Sequence, residues 1–132
     1  MKLSGVMPAL VTPFDASGKI DFNAFEKHMT GLRAAGVTGW VPCGSTGEYF
    51  SMSNSEREDV LKFVKDFANE DEVLIAGTNA PATREVIENT ARAKEIGYDI
   101  VLLATPFYTR PTQDELLKHY HAVLDAVDVS LV

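Results

Sequence analysis

Short apolar segments alternate with stretches of helical periodicity along the whole chain of 132 residues. Five of the apolar segments have the length and composition of buried strands. They span residues 5–12, 37–41, 73–78, 100–104 and 129–132. Strands that alternate with helices in units of about 30 residues predict a parallel sheet with right-handed crossovers. The pattern is therefore compatible with a doubly wound sheet or with part of a (β/α)8 barrel.

Start and stop signals bound the four predicted helices. The sequence Ser53–Glu56 is a capping box at the start of the second helix, and Thr112–Glu115 is another at the start of the fourth. Asp21 is the expected cap of the first helix and Gly36 its end, while Thr83 follows Pro81 at the start of the third helix, which ends at Gly97. Each helix has one apolar face that we expect to be buried. From the first helix to the fourth, these faces are Phe22, Phe25, Met29 and Leu32; then Val60, Leu61, Val64, Phe67 and Ala68; then Ile87, Thr90, Ala91 and Ile96; and finally Leu116, Tyr120, Val123 and Leu124.

A missing motif and the chain length bear on the choice between these two architectures. No GxGxxG motif follows the first strand segment, which disfavours a dinucleotide-binding sheet. A (β/α)8 barrel needs about 250 residues, and this chain has about half of that length. No low-complexity or linker-like segment interrupts it. We therefore expect no internal boundary within residues 1–132, and either the chain is a fragment of a longer barrel or the edge of its sheet pairs with another chain.

Composition excludes several classes of partner. The net charge of −7 argues against binding to nucleic acid or to an anionic membrane surface. The single cysteine, Cys43, excludes an internal disulfide and suits a reducing compartment. With no apolar segment near 18 residues and no leader sequence, we expect a cytoplasmic protein. Structural roles are expected for Cys43, for Trp40 in the core, and for His28, His119 and His121, which do not cluster as metal ligands.

The segment Gly44-Ser45-Thr46-Gly47-Glu48 lies between the second strand and the second helix. Glycines permit backbone conformations that other residues resist, and the hydroxyl and N–H groups of Ser45 and Thr46 can donate to a carboxylate or phosphate. Taken alone, so short a segment is more typical of a βα turn without a ligand, because short motifs match by chance. Its chemistry predicts an anion cradle, and the wider sequence decides between the two interpretations.

The chain resembles the N-terminal half of the dihydrodipicolinate synthase / N-acetylneuraminate lyase family. The resemblance covers essentially all 132 residues and rests on four motifs in order, each at the carboxyl end of a predicted strand. The motifs are residues 5–14, residues 36–37 with 44–48, residues 76–78, and residues 105–108 with 110–111. It implies a (β/α)8 TIM barrel of the class I aldolase type, whose active site lies at that end of the barrel. Residues 1–132 would be the N-terminal half of this single barrel domain and would supply its first four βα units and the start of strand five, without an internal boundary.

The resemblance also implies site residues and chemistry. In this family a lysine on strand six forms a Schiff base with pyruvate or another 2-oxo acid. Ser45 and Thr46 would hold the substrate carboxylate, and Ala9 would line the floor of the pocket. Ser45 and Tyr108 would relay protons, with Tyr108 reaching into the site of a neighbouring subunit. Structural support would come from Thr12, Gly44, Gly47 and Glu48. No cofactor and no metal are implied, and the family assembles as dimers of dimers.

The strand-six lysine of the family would fall beyond Val132. The lysines of this chain all fall on predicted helices, turns or the terminus, namely Lys2, Lys19, Lys27, Lys62, Lys65, Lys94 and Lys118. We therefore expect the chain by itself to be inactive as a lyase. The alternative interpretation is a non-catalytic half-barrel assembly unit that pairs with itself or with a C-terminal half.

The resemblance also bears on regulation. Lysine-inhibited members of the family carry a polar cluster at the dimer interface, and the corresponding positions here include Tyr49, Asn54, Pro81 and Phe107. Phe107 lacks a phenol and Pro81 lacks an amide side chain. We therefore expect no feedback inhibition by lysine.

Overall fold

Four short parallel strands form one sheet, in the same order as they follow along the chain. The computed structural model describes residues 3–132. The strands are β1 (Gly39–Trp40), β2 (Val73–Gly77), β3 (Ile100–Leu102) and β4 (Ser130–Leu131), and the helices are α1 (Phe22–Ala34), α2 (Asn54–Phe67), α3 (Thr83–Ile96) and α4 (Gln113–Ala126). In register, Gly39 pairs with Val73, Ile75 with Ile100, and Ile100 with Ser130. The predicted parallel sheet with alternating helices is confirmed.

The first predicted strand, residues 5–12, runs beside β1 but forms a single bridge, between Ala9 and Val41. The backbone N–H of Leu10 donates to the carbonyl of Val41 at 3.0 Å. Leu10 and Thr12 are buried, whereas Val11 is 43% exposed. This segment is therefore buried on one face only, because the helices cover the side on which Leu10 packs.

Local side chains fix the starts of α1, α2 and α4 as predicted, whereas α3 begins after Ala82 without a side-chain cap. Asp21 accepts a hydrogen bond from the N–H of Ala24, and both capping boxes are present. Gly97 ends α3 with a φ of 112°. The C-cap of α1 is Ala35, and Gly36 follows it with a φ of 92°. Within residues 3–132, none of the helices has the length and apolar character needed to cross a bilayer.

The main core lies between the sheet and the helices α1, α2 and α3. Its largest fully buried side chains include Phe25, Trp40 and Tyr98, so the prediction for Trp40 is confirmed. The hydroxyl of Tyr98 donates to the carbonyl of Leu61 at 2.8 Å, which satisfies the polar group of a buried ring. Alternate residues of β2, Leu74 and Ala76, face this core.

Two predicted helix faces are partly wrong. In α3 the buried residues are Val86, Thr90 and Ala93 rather than Ile87 and Ala91, because the helix packs against α2 on one side and α4 on the other. The buried residues of α4 are His119 and Val123, while Leu124 is 42% exposed.

Glu72, immediately before β2, joins α1 and β1. Its carboxylate accepts hydrogen bonds from Arg33 Nη2 at 2.6 Å, from Trp40 Nε1 at 2.8 Å and from the N–H of Asn69 at 2.9 Å. The Arg33 guanidinium lies over the ring of Phe67, 4.0 Å from its centroid. The hydrogen bonds from Arg33, supported by those from Trp40 and Asn69, lower the pKa of Glu72 to about 2. We call these residues the Glu72 cluster.

The opposite face of the sheet is apolar and open. It forms a cleft of about 320 Å³ lined by Leu3, Met7, Ala9, Val41, Ile75, Leu102 and Val132. Val73 and Ile75 of β2 point to this side, and Leu74 and Ala76 point to the core, as the two-residue period of a strand requires. We call this surface the concave face.

Candidate active site

The predicted anion cradle is a single 3₁₀ turn, Ser45–Gly47, directly after the strand region that ends at Val41. The N–H of Gly47 donates to the carbonyl of Gly44 at 3.0 Å, and the N–H of Glu48 donates to Ser45 at 3.1 Å. Within residues 3–132, the N–H groups of Ser45 and Thr46 donate no hydrogen bond, and both side chains are exposed. Two backbone donors and two hydroxyls are therefore available to a ligand at this edge of the sheet.

The glycines of the cradle do not adopt the unusual backbone conformations that were expected of them. The left-handed residues are Cys43 (φ 57°) and Glu48 (φ 55°), which flank the turn, whereas Gly44 has a φ of −79°. A Cβ atom at Gly47 would lie 2.8 Å from the carbonyl oxygen of Leu10. Gly47 is required by this close approach of two backbone segments rather than by an unusual φ.

Thr12 connects the first strand segment to the cradle. Its hydroxyl donates to the carbonyl of Gly47 at 2.8 Å, and both residues are buried. The side chain of Glu48 is exposed and makes no hydrogen bond within the described residues. Thr12 is therefore a side-chain support of the turn, whereas Glu48 contributes through its left-handed backbone.

Burial makes Cys43 an inert thiol. Its side chain is fully buried at the strand end, and desolvation raises the pKa of the thiol to about 12. The expected structural role is confirmed.

Tyr108 lies in the loop between β3 and α4. Its side chain is 99% exposed and its backbone is left-handed, with a φ of 72°. This conformation is strained for a residue other than glycine. The structure gives no hydrogen bond between Tyr108 and Ser45 or Thr46 within residues 3–132. Ala9, the expected pocket floor, is exposed and lines the concave face.

The four positions considered for lysine regulation come together. Tyr49, Asn54, Pro81 and Phe107 line one cleft of about 260 Å³. The expected absence of feedback stays a prediction.

The sequence analysis missed Arg57, which lines the same cleft. Its guanidinium lies 5.2 Å from the centroid of the Tyr49 ring and donates to the carbonyl of Gly77 at 3.3 Å. Arg57 is buried, and desolvation lowers its pKa. The sequence does contain a signal for its burial. Arg57 lies three, four and seven residues before Val60, Leu61 and Val64, and this spacing places it on the buried face of α2.

The described lysines lie outside the candidate site. Those on helices or turns are exposed or half-buried, namely Lys19, Lys27, Lys62, Lys65, Lys94 and Lys118. Lys94 pairs with Asp99 at 2.7 Å, and this hydrogen bond raises the pKa of the amine. Lys2 lies outside the described residues. In the part of the chain that the structure describes, no group of three or more His, Cys, Asp or Glu side chains could hold a metal ion.

Comparison with known proteins tests the resemblance found in the sequence. The profile of the Dihydrodipicolinate synthetase family matches residues 2–132. The chain belongs to this family. It is 42% identical over 129 residues to the 4-hydroxy-tetrahydrodipicolinate synthase of Endomicrobium trichonymphae, covering 98% of this chain and 44% of the relative. The chain thus spans less than half the length of this relative.

Solved structures that are 31–39% identical to this chain have the same fold. The pyruvate complex of the chloride-inhibited dihydrodipicolinate synthase from Acinetobacter baumannii has a TM-score of 0.95 and 39% identity, covering 98% of this chain and 45% of that one. The 2-keto 3-deoxygluconate aldolase from Picrophilus torridus has a TM-score of 0.89 and 31% identity, and the match covers 96% of this chain and 46% of the aldolase. The fold is therefore the first four βα units and the start of strand five of a (β/α)8 barrel.

Proposed function

We propose that this chain carries the carboxylate-binding part of a Schiff-base-forming lyase, an aldolase that acts on pyruvate or another small 2-oxo acid. The observation that carries the proposal is the turn at Ser45 and Thr46, with its unpaired N–H groups and exposed hydroxyls at the carboxyl edge of the sheet. The pyruvate complex of the Acinetobacter baumannii relative supports the choice of ligand.

The chemistry of such a lyase explains the residue types. A lysine amine that condenses with the ketone releases water and forms an iminium, which withdraws electrons from the neighbouring carbon–carbon bond. Donors from Ser45 and Thr46 would hold the carboxylate and orient the reacting carbon with little reorganisation. The hydroxyls of Ser45 and Tyr108 would pass the protons of imine formation. The full exposure of Tyr108 suits a residue that serves the site of a neighbouring subunit.

Pyruvate is expected to bind weakly but specifically to the isolated chain. Titration of the ¹⁵N-labelled protein should give the largest shifts at the amide resonances of Ser45 and Thr46, because these N–H groups are unpaired and free to bind the carboxylate. Thr46→Val keeps the shape of the side chain and removes the hydroxyl, and should weaken binding about tenfold. Thr46→Ser retains the hydroxyl and is the matched control. Unchanged affinity in Thr46→Val, or shifts that avoid both amides, would reject the site.

The chain alone is expected to form no Schiff base. Exposed lysines on helices and turns are solvated and protonated, and so are poor nucleophiles. Incubation with pyruvate and borohydride, followed by mass spectrometry of the intact protein, should give the unmodified mass of 14.4 kDa. A reduced pyruvate adduct on any lysine would contradict this expectation.

We further propose that residues 1–132 are the N-terminal half of a single barrel domain, within a homo-oligomer built as a dimer of dimers. The matched relatives support the first part of this proposal, because the chain covers about 44% of their length. A cytoplasmic location remains our expectation, as does the absence of nucleic-acid and membrane partners for a chain of net charge −7.

A second candidate function is a non-catalytic half-barrel that pairs with itself or with a C-terminal half. The open concave face supports it, because an apolar cleft of about 320 Å³ needs a cover. Intact mass and solution mass separate the two candidates. An even oligomer of 14.4 kDa chains favours the assembly unit, and an intact mass about twice as large favours the lyase.

A further inference from the structure

The backbone ladder between β2 and β3 weakens where both strands leave the sheet. Its last register pair is Gly77 with Leu102, and the next backbone bond, from Thr78 N–H to the Leu102 carbonyl, is 3.4 Å long. Two residues farther on, the N–H of Ala104 donates to Oδ1 of Asn79 at 2.6 Å. A side-chain oxygen thus takes the place of the carbonyl that would accept the next rung of a parallel ladder.

The exit of β3 is held from both sides. The N–H of Leu103 donates to the carbonyl of Val132 at 3.1 Å, on the side of β4. Asn79 holds Ala104 on the side of β2 and is only 4% exposed. Tyr108 follows four residues after Ala104, and Pro106 restricts the backbone between them. The direction in which this loop leaves the sheet therefore determines where the phenol of Tyr108 lies.

We propose that Asn79 is a positioning residue for Tyr108: its carboxamide oxygen orients the loop at Ala104 and thereby places the phenol. The inference rests on the proton-relay role proposed for Tyr108. Proton transfer requires hydroxyl groups within hydrogen-bond distance of one another, so a displacement of about 1 Å at Tyr108 would impair the relay.

The burial of Asn79 favours this role over one in stability. Within the described residues its amide nitrogen donates no hydrogen bond, so the bond from Ala104 is the one that compensates its burial. An amide buried for one hydrogen bond gives little net stabilisation compared with an apolar residue of the same size. What the side chain supplies is an acceptor at a defined place beside Ala104.

Hydrogen exchange and NMR spectra of the 132-residue chain test the proposal. Asn79→Leu keeps the size and removes the acceptor, so the Ala104 amide should exchange about tenfold faster and lose its downfield shift. The ring resonances of Tyr108 should move as well. Asn79→Asp keeps an oxygen acceptor and should retain the parent values at both residues. Asn89 is a half-buried asparagine that lines the same cleft of about 260 Å³ as Asn79. Asn89→Leu should therefore leave the Ala104 amide and the Tyr108 ring resonances unchanged.

Three results would overturn the proposal: an unchanged Ala104 amide in Asn79→Leu, faster exchange of all β2 and β3 amides together, or Tyr108 ring resonances that do not respond. The pyruvate titration distinguishes this failure from failure of the proposed function. A parent chain that does not bind pyruvate rejects the carboxylate site, whatever the exchange data show. If the exchange rate of the Ala104 amide does not change in Asn79→Leu, the positioning role is rejected even if pyruvate binds.

Discussion

Replacing Gly77 with alanine is expected to lower the free energy of unfolding by about 3 kcal/mol or more. Gly77 is the last residue of β2, and its N–H donates to the carbonyl of Pro42 at 2.9 Å. A Cβ atom at this position would overlap the backbone carbonyl of Cys43 and lie 2.9 Å from the nitrogen of Gly44. Backbone atoms cannot rotate away as a side chain can, so either the strand or the cradle must move.

The same substitution should disturb pyruvate binding, because the displaced backbone leads directly into Ser45 and Thr46. Urea unfolding followed by circular dichroism gives the stability, and the amide shifts give the binding. Gly31→Ala is the matched control, since Gly31 is exposed within α1 and a Cβ atom there meets nothing within 4 Å. It should stabilise the helix by about 0.5–1 kcal/mol. Equal stability of Gly77→Ala and the parent would contradict the predicted clash.

Replacing Glu72 with glutamine is expected to cost about 2 kcal/mol near neutral pH. The amide can accept from Trp40, but it cannot pair with the charge of Arg33 and presents an N–H₂ group to it. Breaking a buried ion pair costs about 3–5 kcal/mol, and this pair is less costly because Arg33 is 31% exposed. Glu70→Gln, at an exposed position two residues earlier, should change stability by less than about 0.5 kcal/mol.

The effect of Glu72→Gln should depend on pH with a defined sign. The folded-state pKa of Glu72 is about 2, below the ordinary value of 4.5, so the carboxylate stabilises the fold fully above about pH 4.5. That contribution is lost as the pH falls from 4.5 towards 2. Urea unfolding of parent and variant near pH 7 and near pH 3 should therefore show a smaller difference at the lower pH. A difference that is constant across this range would exclude the charge as its cause.

Sequence reasoning succeeded where the determining contact is local. The capping boxes at Ser53 and Thr112 need only residues three positions apart, so the spacing alone fixes them. The order of strands and helices follows from periodicity, and the four motifs at strand ends identified the family. None of these features depends on which distant segment packs against them.

The sequence could not predict contacts whose partners are far apart in the chain. Glu72 binds Arg33 and Trp40, which are 39 and 32 residues away. Asn79 receives its bond from Ala104, 25 residues away, at the point where the strands diverge. The cradle shows the same limit, because Gly47 is required by the nearby backbone of Leu10 and not by its own φ. Such requirements appear only once the sheet has formed.

The position of Trp40 has a practical consequence for these experiments. It is the chain's only tryptophan, is fully buried, and meets the ring of Phe67 edge-on at 5.6 Å. An indole in this environment should emit at short wavelength and shift to the red when water reaches it. Because its Nε1 also binds Glu72, the fluorescence of one native residue reports both global unfolding and the state of the Glu72 cluster, without any added label.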